Sequence, residues 1–225
     1  MSAAQDPEDL AIPGLPRPRR TLKSRARPWL EPAIVTGATL PAVALVIAAI
    51  RGALGANPIA EALNELGLLA LVLLVASLAC TPIKMLTKVA WIQPLRRTFG
   101  LLGFAYASLH VLLYLVIDQG LALKAIVLDV LKRPFITVGM LAFVLLVPLA
   151  LTSTKAQVTK LGGAKWRRLH KLAYVVAPLG VVHFLLRVKK DLTEPLVYGA
   201  IVVALLAVRA VSSLAKRSAS PSADA

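Results

Sequence analysis

The sequence predicts an all-α protein, an integral membrane bundle of six transmembrane helices with both termini in the cytoplasm. Hydrophobic residues make up 58% of the 225 residues. Apolar runs of about 17 to 20 residues, the length that crosses a bilayer core of about 30 Å, recur along the chain. The six predicted spans are 33–50, 66–83, 98–117, 135–151, 169–186 and 192–208. Little chain remains between them, so we expect a single membrane domain.

The basic residues predict the orientation of the bundle. With both termini inside, the cytoplasmic segments hold 19 of the 26 basic residues and the opposite side holds seven, as the positive-inside rule requires. Arg209 is expected to extend to the inner surface from the end of the last helix. This topology accounts for the net charge of +15, so a nucleic-acid partner is not expected.

Two tails flank the membrane domain, which is predicted to cover residues 32–213. Residues 1–31 are polar, proline-rich and basic, which is typical of a disordered cytoplasmic tail and not of a cleavable signal. Residues 214–225 are predicted to form a second cytoplasmic tail. Cys80 is the only cysteine and lies inside a predicted span, so an internal disulfide is excluded.

The chain has three histidines, all in or beside apolar spans, where an ionisable side chain is costly and usually functional. Counted along the helices from the charged residues at each surface, His110 and His183 lie at similar depth toward the outside, and His170 lies near the inner surface. Two imidazoles at one depth on two helices are what axial ligation of a haem iron requires. We therefore predict that His110 and His183 ligate one low-spin b-type haem.

Small residues accompany the two paired histidines. Gly103 and Ala107 precede His110 on its helix face, and Gly180 precedes His183. Such residues leave room for a flat porphyrin. The alternatives are that they only allow close helix packing, and that each histidine simply hydrogen-bonds a neighbouring group.

Arg187 and His170 are further candidates for cofactor binding. Arg187 follows His183 by four residues, on the same helix face. It is predicted to bind a haem propionate at the outer surface. His170 is either a further ligand or an interfacial residue in a belt with Trp166.

A second haem with two histidine ligands is not expected. His170 and His183 are 13 residues apart, which separates them by about 140° around an ideal helix. Pro178 lies between them and can kink or rewind that helix. The position 13 residues before His110, which would partner His170, is occupied by Arg97.

Two segments carry a resemblance to a known family. They are WRRLHKLAYVVAPLGVVHFLL, residues 166–186, and RRTFGLLGFAYASLHVLLYL, residues 96–115. Together they resemble the ferric-reductase-like transmembrane domain shared by ferric reductases and NADPH oxidases. With six spans and no fused flavin or nicotinamide domain, the chain is most similar to the MsrQ family, the haem-binding membrane subunits of the bacterial periplasmic methionine sulfoxide reductase system. The resemblance covers about residues 33–208 and matches all three histidines to those of the family.

The resemblance implies an electron conduit of the bacterial inner membrane with no catalytic residues of its own. It implies haem b and FMN as cofactors, and a cytoplasmic flavin reductase or the quinone pool as electron donor. The electrons would pass to a periplasmic molybdenum-containing methionine sulfoxide reductase, which repairs oxidised proteins and carries the substrate-reducing site. Candidates to hold a flavin phosphate near the inner surface are Arg96, Arg97, Lys165, Arg167 and Arg168.

Two other functions remain open. One is a metalloreductase of the same fold that delivers electrons to ferric or cupric ions without a protein partner. The other is a non-redox membrane transporter or assembly factor in which the histidines are structural. Residues 121–133, in the longest outer loop, are expected to form a short surface helix that is either a connector or a docking site.

Overall fold

The computed structural model describes residues 27–218. Within that range the chain forms α-helices joined by short turns. Their bounds are α1 Leu30–Ile50, α2 Pro58–Thr87, α3 Leu95–Leu112, α4 Leu123–Lys132, α5 Pro134–Leu151, α6 Lys155–Leu161, α7 Gly163–Leu169, α8 Ala173–Arg187 and α9 Thr193–Ser218. A 3-10 turn, Ala90–Ile92, precedes α3, a π-helical turn, Leu113–Asp118, follows it, and a 3-10 turn, His170–Leu172, joins α7 to α8.

Six stretches are long and apolar enough to cross a membrane, which confirms the predicted all-α bundle of six spans. They are Leu30–Ile50, Pro58–Thr87, Ala90–Asp118, Pro134–Leu151, Gly163–Arg187 and Thr193–Ala215. Successive spans run in alternate directions, so the described chain begins and ends at the same end of the bundle. We call this the α6 end, because α6 lies there, and the opposite one the α4 end.

The second span begins eight residues earlier than the apolar run at residues 66–83 indicates. Asn57 caps α2 by accepting a hydrogen bond from the backbone N–H of Ala60 at 3.1 Å, and Pro58 occupies the first helical position. Both features favour a helix start. The first turns of α2 contain the charged residues Glu61 and Glu65, so hydropathy alone leaves these turns out of the predicted span.

The predicted tails fall largely outside the described residues. Residues 30–31 belong to α1, and residues 214–218 belong to α9. The domain limits at residues 32 and 213 remain predictions.

Helix α2 lies at the centre of the bundle. It packs along α3, and its residues Leu71, Val75 and Leu78 form a buried cluster with Ala177 and Val181 of α8 and Val202 of α9. The other extensive helix pair is α5 with α8. The pairs α2–α3 and α5–α8 therefore face each other, and their shared interior positions the candidate site.

Arg209 does not extend to the surface as predicted. Its guanidinium turns into the bundle, where Nη1 donates to the hydroxyl of Tyr174 at 2.5 Å and Nη2 donates to the carbonyl of Leu78 at 2.9 Å. That carbonyl lies four residues before Pro82, which has no N–H to donate to it. An orphaned carbonyl is costly in lipid, so Arg209 is retained inside to bind it.

Short loops close the α4 end of the bundle. Between α1 and α2, the backbone N–H of Gly55 donates to Glu61 at 2.8 Å. Between α8 and α9, the carboxylate of Asp191 accepts from the backbone N–H of Thr193 at 2.9 Å. Donation by Thr193 lowers the pKa of Asp191, because it stabilises the charged form.

Candidate functional site

His110 is held in place by the facing helix α2. Its Nδ1 donates to the backbone carbonyl of Leu63 at 2.8 Å. The ring lies against Gly67, one helical turn further along, where a Cβ atom would be 3.2 Å from the ring carbon Cε1. Because a carbonyl can only accept, the proton lies on Nδ1 and the lone pair of Nε2 is free to bind a metal.

His183 is held by α5 in the same way. Its Nδ1 donates to the carbonyl of Phe135 at 2.6 Å. The ring lies against Gly139, again one turn later, and a Cβ atom there would be only 2.6 Å from Nδ1. We call each pair of a carbonyl and a glycine four residues later a histidine cradle, formed by Leu63 and Gly67 or by Phe135 and Gly139.

Sequence reasoning missed both cradles. Small residues were expected on the helices that carry the histidines, whereas Gly67 and Gly139 lie on the facing helices, α2 and α5. The available signal was a glycine in each of two other spans, at the depth of the histidines. These glycines can be interpreted only when it is known which helices pack against each other, and the sequence alone does not give that.

The two imidazoles are neighbours, at the distance that a shared metal requires. Their ring centres are 6.1 Å apart and their planes are nearly perpendicular, at 86°. Two imidazoles that bind one metal through bonds of about 2 Å have ring centres roughly 6 Å apart. Within residues 27–218, no group of three or more His, Cys, Asp or Glu side chains is placed to hold a metal ion. A metal shared by His110 and His183 would therefore take its other ligands from a bound group such as a porphyrin.

A cavity of about 330 Å³ surrounds the two histidines. Its walls come from α2, α3, α5 and α8 and are mainly apolar, with Leu68, Met140 and Phe143 among them. Polar residues of the lining lie toward the α4 end and include Tyr114, Asp118, Arg133 and Arg187. An apolar interior with a few polar groups at one side is the usual form of a cofactor site. The donors, their spacing and the chemistry of the lining fit a haem.

Three of the four predicted neighbours of the pair line this cavity, namely Ala107, Gly180 and Arg187. Gly103 does not. A Cβ atom at Gly103 would lie 2.9 Å from Cγ of Leu74 and 3.3 Å from the carbonyl oxygen of Ala70. The prediction that Gly103 makes room for a porphyrin is therefore wrong, because this glycine allows α2 and α3 to pack closely.

His170 lies in a second cavity, of about 660 Å³, near the α6 end. Its Nδ1 donates to the carbonyl of Trp166 at 3.2 Å, and the two rings stack with centres 3.9 Å apart. The indole N–H of Trp166 donates in turn to the carbonyl of Thr152 at 2.9 Å. The Nε2 atom of His170 is buried and has no partner among the described residues. An unpaired buried nitrogen is costly, which is consistent with a ligand in this cavity.

The second cavity is basic. Arg96, Arg97 and Lys155 contribute to its lining, so Arg97 and His170 border the same cavity. The other predicted phosphate-binding residues, Lys165, Arg167 and Arg168, do not line it.

His170 and His183 both face the interior despite their separation of 13 residues. The 3-10 turn at His170–Leu172 provides part of the reason. A 3-10 helix advances by about 120° per residue instead of 100°, so these three residues reduce the angular offset by roughly 60°. This change in helical winding lies at residues 170–172, and not at Pro178, where the sequence analysis expected it.

The two cavities are neighbours in the interior of the bundle. Leu74, Leu146 and Val176 line both of them, so a thin apolar wall separates the space around His170 from the space around His110 and His183.

Comparison with known proteins gives consistent matches over the membrane domain. Residues 65–181 match the family described as ferric reductase like transmembrane component. Three relatives carry the name protein-methionine-sulfoxide reductase heme-binding subunit MsrQ. The Caulobacter vibrioides protein is 50% identical over 69% of this chain and 74% of its own length. The Rhodospirillum rubrum protein is 46% identical over 82% and 89%, and the Ralstonia nicotianae protein is 40% identical over 88% and 89%.

This chain belongs to the MsrQ family.

The predicted resemblance is thereby confirmed. Within this MsrQ-family chain, the segment that matches the ferric-reductase-like component contains His110 and His170, and it ends two residues before His183. The segment also contains both cradle glycines, Gly67 and Gly139. The features of the first cavity are thus mostly within the part of the chain that defines the wider family.

Proposed function

We propose that this chain is a haem-binding electron-transfer subunit that carries electrons across the bacterial inner membrane to a periplasmic methionine sulfoxide reductase. The observation that carries the proposal is the pair of cradled imidazoles, His110 and His183, whose ring centres are 6.1 Å apart. The names of the relatives, which describe heme-binding subunits, support the same cofactor.

Five residues at the first cavity have a task in this proposal. His110 and His183 would hold a b-type haem through Nε2, and Arg187 would bind a propionate. The bound haem would supply a one-electron carrier. The carbonyls of Leu63 and Phe135 fix the ring tautomers and orientations, and the apolar lining keeps water from the site.

The basic residues support a cytoplasmic location for the α6 end. Positive residues concentrate in cytoplasmic segments of membrane proteins, and most of those in this chain flank the spans at the α6 end. The cavity around His170 would then lie on the side that accepts electrons. It would bind FMN, with Arg96, Arg97 and Lys155 near the phosphate, and would receive electrons from a cytoplasmic flavin reductase or from quinones.

The electron acceptor would be a periplasmic molybdenum-containing methionine sulfoxide reductase subunit. The relatives are named heme-binding subunits of a protein-methionine-sulfoxide reductase, which supports a reductase subunit as the acceptor. The α4 end has only short connections and α4 itself, so reduction of an oxidised protein at this end would require a catalytic site on a partner.

An absorption spectrum with a haem-to-protein ratio tests the proposal. We expect the purified full-length chain to show the Soret band of a low-spin b-type haem, and His110→Ala and His183→Ala to lose most of it. Leu40→Ala, at a lipid-facing position that is 62% exposed, is the control and should keep the spectrum.

Other outcomes would contradict the proposal in distinct ways. Protein that stays colourless after haem supplementation would indicate a non-redox transporter or assembly factor. Haem-loaded protein that reduces ferric or cupric chelates rapidly, and gains nothing from a periplasmic reductase, would indicate a metalloreductase.

A further inference from the structure

The mouth of the first cavity contains two arginines, and the proposed function assigns a ligand group to Arg187 alone. Arg133, the residue immediately before α5, also lines the cavity. Haem carries two propionates, and Arg187 accounts for one of them. Arg133 is therefore a candidate partner for the other propionate.

Asp129 of α4 orients Arg133. Its Oδ1 contacts Nε of Arg133 at 2.8 Å, and its Oδ2 accepts a hydrogen bond from the hydroxyl of Tyr114 at 3.0 Å. The Asp129 side chain is only 13% exposed. Both of its oxygens are thus engaged, and the carboxylate bridges the π-helical turn after α3 to the start of α5.

The 2.8 Å contact with Asp129 is made by Nε of Arg133, which is only one of the donor atoms of the guanidinium. A guanidinium has several donor edges, and arginine commonly binds a carboxylate with two parallel hydrogen bonds. The Arg133 side chain is 58% exposed while lining the mouth of the cavity, so its terminal nitrogens remain accessible to a ligand that reaches the mouth from within.

We infer that Arg133, oriented by Asp129 and Tyr114, binds the carboxylate of the second haem propionate. The inference rests on the proposed function, because it assumes that haem occupies the first cavity. Arg187 and Arg133 approach the mouth from α8 and from the start of α5, so each propionate would have its own arginine. Asp129 balances the positive charge of Arg133 before the ligand binds.

Haem and its dimethyl ester, in which both propionates are uncharged, provide the matched probes. The full-length chain is prepared without haem, and each ligand is titrated while the Soret band is recorded. Arg133→Gln should weaken haem binding by about tenfold or more, as the loss of a hydrogen bond to a charged group implies, and should leave the affinity for the dimethyl ester unchanged. Lys132→Gln, at the adjacent exposed position, is the control and should change neither affinity.

Three results would overturn the inference. Equal weakening for both ligands would mean that Arg133 only supports the fold, and unchanged affinities would mean that it does not contact the ligand. Wild-type protein that binds neither ligand would overturn the proposed function together with the inference.

Arg133→Lys keeps the charge but loses the planar donors, so it should show a smaller loss that is again restricted to haem. This variant decides the matter if Arg133→Gln does not fold.

Discussion

At the scale of single residues, the backbone of a neighbouring helix determines how each paired histidine is presented. A neutral imidazole has one donor and one acceptor nitrogen. In both cradles the carbonyl takes the donor, Nδ1, and the missing Cβ of the glycine lets the ring approach the helix. His110 and His183 therefore each keep the same nitrogen, Nε2, free to bind a ligand.

The closeness of Gly139 to His183 predicts the effect of a single methyl group. A Cβ atom at Gly139 would lie 2.6 Å from Nδ1 of His183, so Gly139→Ala must displace the ring. Overpacking of this kind costs about 1–3 kcal/mol, or about 5- to 150-fold in an equilibrium constant. We expect haem affinity, measured by Soret titration, to fall within this range.

Gly37→Ala provides the matched control for the same substitution in a membrane helix. A Cβ atom at Gly37 meets no other atom within 4 Å, so haem affinity should not change. A Gly139→Ala variant with wild-type affinity and an unaltered spectrum would show that the glycine does not position the ring.

Arg187 offers a test of electrostatics at the cavity mouth. Arg187→Leu removes a positive charge near the proposed haem, and a positive charge favours the reduced, less positive iron. We expect the haem midpoint potential, measured by redox titration, to fall by roughly tens of millivolts. A raised or unchanged potential in haem-loaded protein would count against the contact.

At the scale of helices, hydropathy predicted the six spans because each span must be apolar over the thickness of the bilayer. It could not predict features that depend on how helices pair. The cradles at Gly67 and Gly139, the packing role of Gly103 and the inward turn of Arg209 all depend on groups supplied by another helix. The 3-10 turn at His170 is local, but no residue in the sequence marks it clearly.

The link between Arg209 and Pro82 can be tested as a double-mutant cycle. Arg209→Leu leaves the carbonyl of Leu78 without its donor, which should cost about 1–3 kcal/mol. Pro82→Ala restores a backbone N–H four residues after Leu78, so the same Arg209 substitution should cost less in that background. A denaturant titration in detergent gives the free energy of unfolding of each variant, and hence both costs. Equal costs in the two backgrounds would show that Arg209 does not compensate for the proline.

At the scale of the whole molecule, the two cavities form an ordered sequence from the α6 end to the α4 end. His170 lies in the basic cavity and the His110–His183 pair lies in the apolar one, with Leu74, Leu146 and Val176 between them. The sequence predicted this order from residue depth alone. It could not predict the cavities themselves, because they result from how α2, α3, α5 and α8 pack.

This arrangement predicts that His170 affects only one half of the electron transfer. His170→Ala should slow reduction of the haem by a cytoplasmic flavin reductase, while oxidation of the reduced protein by its periplasmic acceptor stays near normal. Stopped-flow absorbance measures the two half-reactions separately. Normal reduction with impaired oxidation would reverse the assigned direction, and no effect on either step would leave His170 as an interfacial residue.

Electron paramagnetic resonance of the ferric protein tests the central claim, joint ligation of one haem by His110 and His183, most directly. The two imidazole planes are nearly perpendicular, at 86°. In a haem ligated by both rings, this angle would leave two iron d orbitals almost equal in energy and would give a strongly anisotropic low-spin signal. We predict that the wild-type protein shows this signal, that His110→Ala and His183→Ala each lose it, and that His170→Ala retains it. Persistence of the signal in either His110→Ala or His183→Ala would contradict the claim.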